Sequence, residues 1–348
     1  MRLAFYAPLK PPAHPVPSGD RAMARALVAA LTHMGAQVDL AATFRSRDGK
    51  GDPSVQARLI AEAAELVPEI IEKGQSAGWQ AWVTYHSYYK APDLLGPAVS
   101  RALGIPYLAI EATRARKRFG GPWDAFARIS EAACDAADVI FYLTARDYEA
   151  LQAYAPAQQQ HVHLRPFLPR NNLPPVAAGE NLLAVGMMRV AAKLESYKLI
   201  AQTLALLPDD VTLEIAGDGP ARSQVEAAMA PLSGRVTFLG AIDETALKSA
   251  YAHAGALIWP GVEEAFGMIY LEAQAHGLPV IAQDRPGVRD VLFPRSYPSV
   301  DEGAAGLAAL ARRAAPPADD IRTFIRDHHL LPAAAHTLRA GLAKAGVA

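Results

Sequence analysis

Cysteine is almost absent: Cys134 stands alone in a chain of 348 residues. One thiol excludes an intrachain disulfide and a cysteine-based zinc cage. Its setting, SEAACDAADVIF, reads as a small buried apolar group. Charge of one sign is also lacking, since 34 Lys and Arg stand against 35 Asp and Glu, a formal net charge of -1. That excludes a general affinity for polyanions, so no nucleic-acid partner is expected. No apolar run approaches the roughly 18 residues that mark a bilayer-spanning helix. The opening MRLAFYAPLKPP lacks the long apolar core and small-residue cleavage site of a secretion signal. A cytoplasmic protein is the expectation. Metal chemistry has little to build on. There is no H-E-x-x-H, and the pairs His161/His163 and His328/His329 have no companion ligands at suitable spacing, so no metal site is expected.

What is present is the texture of a globular chain, 51% apolar and 20% charged. At roughly 100–200 residues per domain, the length implies two domains. In the N-terminal half, short apolar runs alternate with helical patterns. RLAFYAP ends at a proline. SGDRAMARALVAALTHMGAQVDLAA reads as a helix capped by Ser18, with apolar Met23, Leu27, Ala30 and Leu31 at helical spacing, stopped by Gly35 before a strand. AWVTYH, PYLAIEA and DVIFYLT are further strand candidates, and LLGPAVSRALG is a helix between the first two. Around residue 165 the texture changes. RPFLPRNNLPPV reads as a stiff linker. Alternation then restarts through NLLAVG, VTLEIAG, VTFLG, GALIWPG and LPVIAQD, with helices between, including ones from Ala221 and Glu244. The pattern predicts two doubly wound parallel-sheet α/β domains facing a cleft. Their boundaries are 1–168, a linker at 169–177, 178–325, and a helical tail at 326–348 that packs back on the N-terminal domain.

The chemistry concentrates in EEAFGMIYLE, residues 263–272. A strand, GALIWPG, leads through a loop to a helix starting near Gly267 and ending at Gly277. Free N–H groups at such a start form an anion site suited to phosphates, and Gly267 lets a ligand approach the backbone. Glu272 is five residues into the helix, about 7.5 Å along its axis. A carboxylate there can accept two hydroxyl hydrogen bonds, as from a ribose diol. Glu264 flanks the same anion site from the loop. The competing reading is an amphipathic helix with exposed acids. Arg189 and Lys193 follow NLLAVG directly, and two cations there can neutralise a departing diphosphate. AGDGPAR offers half of a dinucleotide fingerprint, but Arg222 occupies the third glycine position. A tight turn is the better reading of it.

Glu264 and Glu272, with seven residues between them and Phe266-Gly267 inside, match the E-x7-E motif of retaining GT-B glycosyltransferases. EEAFGMIYLEAQAHGLPVIAQDRPGVRDV resembles glycosyltransferase family 4 (group 1). LLAVGMMRVAAKLESYKLIAQTLALLP, LEIAGDGPARSQVE and VTFLGAIDETALKSAYAHAGALIWP follow the family's order. PSGDRAMARALVAALTHMGAQVDL resembles its first glycine loop and helix more loosely.

The resemblance implies transfer of a sugar from a UDP- or GDP-linked donor with retention of configuration, and no separate cofactor. It implies Glu264, Arg189, Lys193 and His86 as catalytic residues. Glu272, Phe266, Gly267, Met268, Gly19, Leu239 and Gly240 would be donor contacts, and Glu111, Lys90 and Arg114 acceptor contacts. The family spaces its cation pair by five positions, whereas Arg189 and Lys193 are four apart, leaving Lys198 as a spare. Glu111 stands where the family often has histidine. The basic run RARKR, followed by Gly120-Gly121, suits an anionic acceptor or the anionic inner face of a membrane, and a solvated loop is its plainer reading. The acceptor class stays open among carbohydrate, lipid-linked and small-molecule compounds. Two rivals are a catalytically silent sugar- or nucleotide-binding protein on the same fold and a GT-B epimerase or phosphorylase.

Overall fold

The computed structural model describes residues 1–16 and 18–347; Pro17 and Ala348 lie outside the described residues. The chain forms two units, Met1–Arg165 with Leu331–Ala348, and Pro166–Leu330.

The first unit is built on a six-stranded parallel sheet in the order β2-β1-β3-β4-β5-β6. Its strands are β1 (Arg2–Tyr6), β2 (Gln37–Leu40), β3 (Ala81–Tyr85), β4 (Tyr107–Ile110), β5 (Val139–Tyr142) and β6 (Gln160–His163). The four central strands are short and buried on both faces, which is why they read as unbroken apolar runs. The edge strands β2 and β6 are more polar and half exposed. β6, QHVH, was not among the strands expected, because an edge strand needs no apolar run. Helix α1 (Gly19–His33) begins at Ser18, whose Oγ accepts from Arg21 N at 3.2 Å. Helix α2 (Pro53–Ala77) was not expected either. Asp52 caps it, Pro53 fits its first turn, and Gly78 closes it in a left-handed conformation. Helices α3 (Gly96–Leu103), α4 (Asp124–Ala136) and α5 (Ala145–Gln152) complete the alternation. Cys134 lies buried in α4, and burial pushes its thiol up to about 12, so it packs as an apolar group.

The second unit carries a five-stranded parallel sheet in the order β11-β10-β7-β8-β9. Its strands are β7 (Leu182–Val185), β8 (Leu213–Ala216), β9 (Val236–Gly240), β10 (Ala256–Ile258) and β11 (Val280–Ile281). These are the five apolar runs named above. Helices α6 (Ala192–Ala205), α7 (Arg222–Met229), α8 (Glu244–Ala252), α9 (Met268–Ala275), α10 (Gly303–Ala311) and α11 (Ala318–His328) cover it. Trp259, Tyr197 and Tyr270 are among its largest fully buried side chains.

The last helix, α12 (Leu331–Lys344), belongs to the first unit, where it packs on α1, β5 and β6. Arg339 donates to the carbonyl of Met34, just after α1. Gly341 faces the buried ring of Phe141, and a Cβ there would lie 2.2 Å from ring carbon Cζ. Only glycine allows this approach, so Gly341→Leu should overpack the interface and lower stability by about 2–3 kcal/mol. Gly234→Ala, which meets nothing within 4 Å, should stay within about 0.5 kcal/mol. Urea unfolding of both variants checks this, and equal midpoints would count against the packing role.

Candidate functional site

The carboxyl ends of three adjacent strands in the second unit meet through glycine. Gly186, Gly217 and Gly240 end β7, β8 and β9. Gly186 N donates to Ala216 O at 3.0 Å, and Gly217 N to Gly240 O at 2.8 Å. A Cβ on Gly217 would sit 1.9 Å from Gly186 O, and one on Gly219 would sit 2.5 Å from Met188 O. The glycines of AGDGPAR thus let two loops lie backbone against backbone. Tyr197 Oη donates to Gly186 O at 2.6 Å, tying α6 to the same edge.

Next to this edge, Trp259 follows β10 and is fully buried. Its Nε1 donates to Glu264 Oε1 at 2.9 Å. The same carboxylate oxygen accepts from Lys193 Nζ, the second residue of α6. The ammonium also lies 5.1 Å from the centre of the Trp259 ring. Two of the expected site residues, 71 positions apart, are therefore in direct contact. Arg189 is elsewhere: it is exposed, with Nη2 3.4 Å from Met187 Sδ. Its loop contains Ala191 at φ 63°, and Met187 and Val190 are exposed apolar residues. Lys198, the spare cation, pairs with Glu195.

Helix α9 starts as expected, with Gly267 as its N-cap at φ 79°. Tyr270 packs so closely that a Cβ on Gly267 would lie 2.7 Å from its ring. Among the described residues, no backbone carbonyl accepts from the N–H groups of Phe266, Gly267, Met268 or Ile269. These are the unpartnered donors of a helix start. Glu272 lies on the same helix and accepts from Tyr251 Oη at 3.1 Å. Burial pushes its carboxyl above the usual range, with the Tyr251 hydroxyl and Arg170 opposing. Tyr251 is itself stacked on His276. Leu239 is half-buried against the core of this unit, beside Gly240.

In the first unit, His86 and Glu111 sit directly after β3 and β4. Both have left-handed backbones, φ 58° and 57°, rare for non-glycine residues. The other two described non-glycine residues of this kind, Ala191 and Glu263, lie in the loops after β7 and β10. Backbone strain thus collects at the carboxyl ends of the strands, where such folds place their ligands. His86 Nδ1 lies 3.1 Å from Asp20 Oδ1 and 4.0 Å from Glu111 Oε2. Burial disfavours the imidazolium, but the hydrogen bond to Asp20 and the charges of Glu111 and Asp20 together raise its pKa. Burial raises the carboxyl of Glu111 too, with His86 opposing. Gly19 is exposed at the start of α1, and a Cβ there would meet nothing within 4 Å.

Arg114 differs from the expectation of an acceptor contact. It is buried, with Nη1 2.9 Å from Glu131 and Nη2 2.7 Å from Asp135. Glu131 also accepts from Ala115 N and pairs with Arg116, so the first half of RARKR is held by acids of α4. Lys90 instead lies over the rings of Tyr89 and Trp123. Sequence reasoning missed Trp259, Tyr251 and Asp20. A tryptophan ending a buried strand, and an aspartate beside Gly19 at a capped helix start, were the available signals. Among the described residues, no group of three His, Cys, Asp or Glu is placed to hold a metal ion, and no helix is long and apolar enough to cross a membrane.

Residues 179–327 match the family model described as glycosyl transferases group 1. This stretch resembles the group 1 glycosyl transferases. A GDP-mannose-dependent alpha-mannosyltransferase of Mycolicibacterium smegmatis is 37% identical over 86 residues, 25% of this chain and 22% of the relative. The chain thus spans under a quarter of that relative's length. The D-inositol 3-phosphate glycosyltransferase of Arthrobacter sp. is 24% identical over 94% of this chain and 87% of its own. Sucrose-phosphate synthase from Thermosynechococcus elongatus has a similar structure, with TM-score 0.67, 19% identity and 97% of each chain covered. Anabaena Alr3699/HepE in complex with UDP also matches at 0.67, with 14% identity over 99% of this chain and 100% of its own. The fold is GT-B, with the matched stretch in one parallel-sheet unit and a second parallel-sheet unit beside it in the sequence.

The raised pKa of His86 has a consequence for the unit that carries it. Its pair with Asp20 contributes stability in full below the ordinary histidine value of about 6.5, and loses it as pH rises through the higher native value. Asp20→Asn should therefore shift the His86 titration to lower pH, read from its ring-proton NMR signals. An unmoved titration would show that Asp20 does not hold the charge.

Proposed function

We propose that the chain transfers a sugar from a nucleoside diphosphate sugar to an acceptor hydroxyl, with retention of anomeric configuration. The observation that carries this reading is the open start of α9, with Glu264 ahead of it and Glu272 within it. A pyrophosphate suits the free N–H groups and the positive end of the helix dipole. Glu272 takes the ribose diol through Oε1, the carboxylate oxygen that Tyr251 does not engage, and the remaining lone pair of Oε2. The relatives support a nucleotide donor, since one is named for GDP-mannose and one neighbour is in complex with UDP.

In this reading the Lys193–Glu264 pair exchanges partners when donor binds. The incoming diphosphate brings negative charge that competes for Lys193. Released from Lys193, Glu264 keeps its bond from Trp259 Nε1 and turns its lone pairs to donor sugar hydroxyls. Lys193 and Arg189 then neutralise the departing diphosphate together with the α9 N–H groups. Retention follows from attack on the face the leaving group vacates. That demands leaving-group stabilisation more than a protein nucleophile.

On the acceptor side, Asp20 and Glu111 raise the pKa of His86, which favours the form that donates a hydrogen bond to an acceptor oxygen. Burial raises the Glu111 carboxyl toward neutral pH, which suits it to accept a proton.

Glu272→Ala should weaken UDP or GDP binding at least about tenfold, roughly 1.4 kcal/mol, in titration calorimetry. Unchanged affinity for both nucleotides would remove Glu272 from the donor site. Arg189→Ala should leave nucleotide affinity near wild type and slow transfer by about 10²-fold, measured with a panel of nucleotide sugars. Wild-type turnover would show that Arg189 does not meet the leaving group.

A further inference from the structure

Beyond His86 and Glu111, the first unit carries a group of aromatic and cationic side chains. From His86 a chain of aromatic rings runs outward. His86 to Tyr88 is 5.1 Å between ring centres, Tyr88 to Tyr89 is 5.5 Å, and Tyr89 to Trp123 is 5.6 Å. Two cations lie on the far rings. Lys90 Nζ is 5.7 Å from the centre of Tyr89 and 5.4 Å from that of Trp123. The Arg118 guanidinium is 4.8 Å from Tyr89 and 5.9 Å from Trp123.

Neither cation forms a salt bridge among the described residues, unlike Arg114, Arg116 and Arg128 nearby. Arg118 Nε is buried with no hydrogen-bond partner. The adjoining acid, Asp48, forms no salt bridge with either among the described residues. Its carboxylate is taken up by the backbone N–H groups of Lys50, Gly51 and Asp52 and by the Gln56 amide. Asp124 is engaged by Arg128 and by Gly120 N.

The cluster therefore has two poles. At the His86 end stand the acids Asp20 and Glu111, which suit hydroxyl groups. At the Trp123 end stand two unpaired cations held against aromatic faces. Half-buried cations that lie on aromatic faces and have no carboxylate partner keep N–H donors available to an anion. The rings between offer apolar faces on which the ring of a sugar or cyclitol can lie.

We propose that this is the acceptor subsite, and that the acceptor is a hydroxylated compound carrying an anionic group, a phosphate or carboxylate. Its reacting hydroxyl sits at His86 and Glu111, and its anion is held by Lys90 and Arg118. The proposal rests on the transferase reading for the identity of the compound as acceptor. The anion site itself is tested independently of donor chemistry.

NMR titration of the full chain with glucose, glucose 6-phosphate and inorganic phosphate measures the preference for an anion. Co-sedimentation with phosphatidylglycerol and phosphatidylcholine vesicles asks whether the anion is a lipid headgroup. We expect glucose 6-phosphate to bind at least tenfold more tightly than glucose, with shifts at Tyr88, Tyr89 and Trp123. The Lys90→Gln/Arg118→Gln double variant should lose that preference and keep its UDP affinity. Binding to phosphatidylglycerol alone, lost in the same variant, would assign the anion to a lipid. Equal binding of glucose and glucose 6-phosphate with no vesicle preference would overturn the proposal, as would a preference that survives in the double variant. Arg128→Gln removes one positive charge that Asp124 already balances; an equal loss there would reveal a general charge effect and overturn it as well. Failure of the wild-type chain to bind any nucleotide would defeat the transferase reading, and the anion result would still stand or fall on its own.

Discussion

One carboxylate oxygen, Oε1 of Glu264, accepts from both the Lys193 ammonium and the Trp259 indole. Three loops of the second unit are fastened at that atom: the loop from β7 into α6, the end of β10, and the segment leading to α9. Trp259 in turn is fixed by Tyr270, whose hydroxyl donates to the Trp259 carbonyl at 3.0 Å, and by the edge of Tyr197, 5.2 Å away between ring centres. Lys193 and Glu264 are part exposed, at 28% and 15% of their side-chain area. Water reaches the pair, which makes it weaker than a buried one and exchangeable for a ligand. The aromatic scaffold of Trp259, Tyr197 and Tyr270 beside it is fully buried.

The two units solve different electrostatic problems with the same architecture. In the second, the carboxyl edge of the sheet is shaped by glycines, and the unpartnered N–H groups of a helix start stand with the ion pair of Lys193 and Glu264. In the first, the corresponding edge carries His86 and Glu111 on strained backbones, and Asp20 joins them from α1. That second arrangement favours the charged form of the imidazole, because two acids face it.

Much of this was legible from sequence, and the exceptions have physical reasons. Central strands announced themselves because burial on both faces demands uninterrupted apolar residues. β6 did not, because an edge strand with one wet face can be written QHVH. Helix α1 was readable from Ser18 and its apolar spacing, and α9 from Gly267 and Gly277. Helix α2 was overlooked despite the Asp52-Pro53 start and the Gly78 stop. Glu264, Lys193 and His86 were singled out by motif and position, but the contact of Glu264 with Lys193 spans 71 positions and is a property of the sheet order. Arg114 shows the opposite limit. A cation in a basic run looks available until the fold places Glu131 and Asp135 beside it.

The return of α12 to the first unit bears on how the protein is made. That unit is discontinuous: α12 completes it against α1 and β5, yet it is translated only after the 165 residues from Pro166 to Leu330. At roughly 5–20 residues per second on the ribosome, the nascent first unit waits on the order of 10 to 30 s with the face under Phe141 uncovered. In that interval a bound chaperone, or the still incomplete second unit, has access to an apolar surface that the mature chain never exposes.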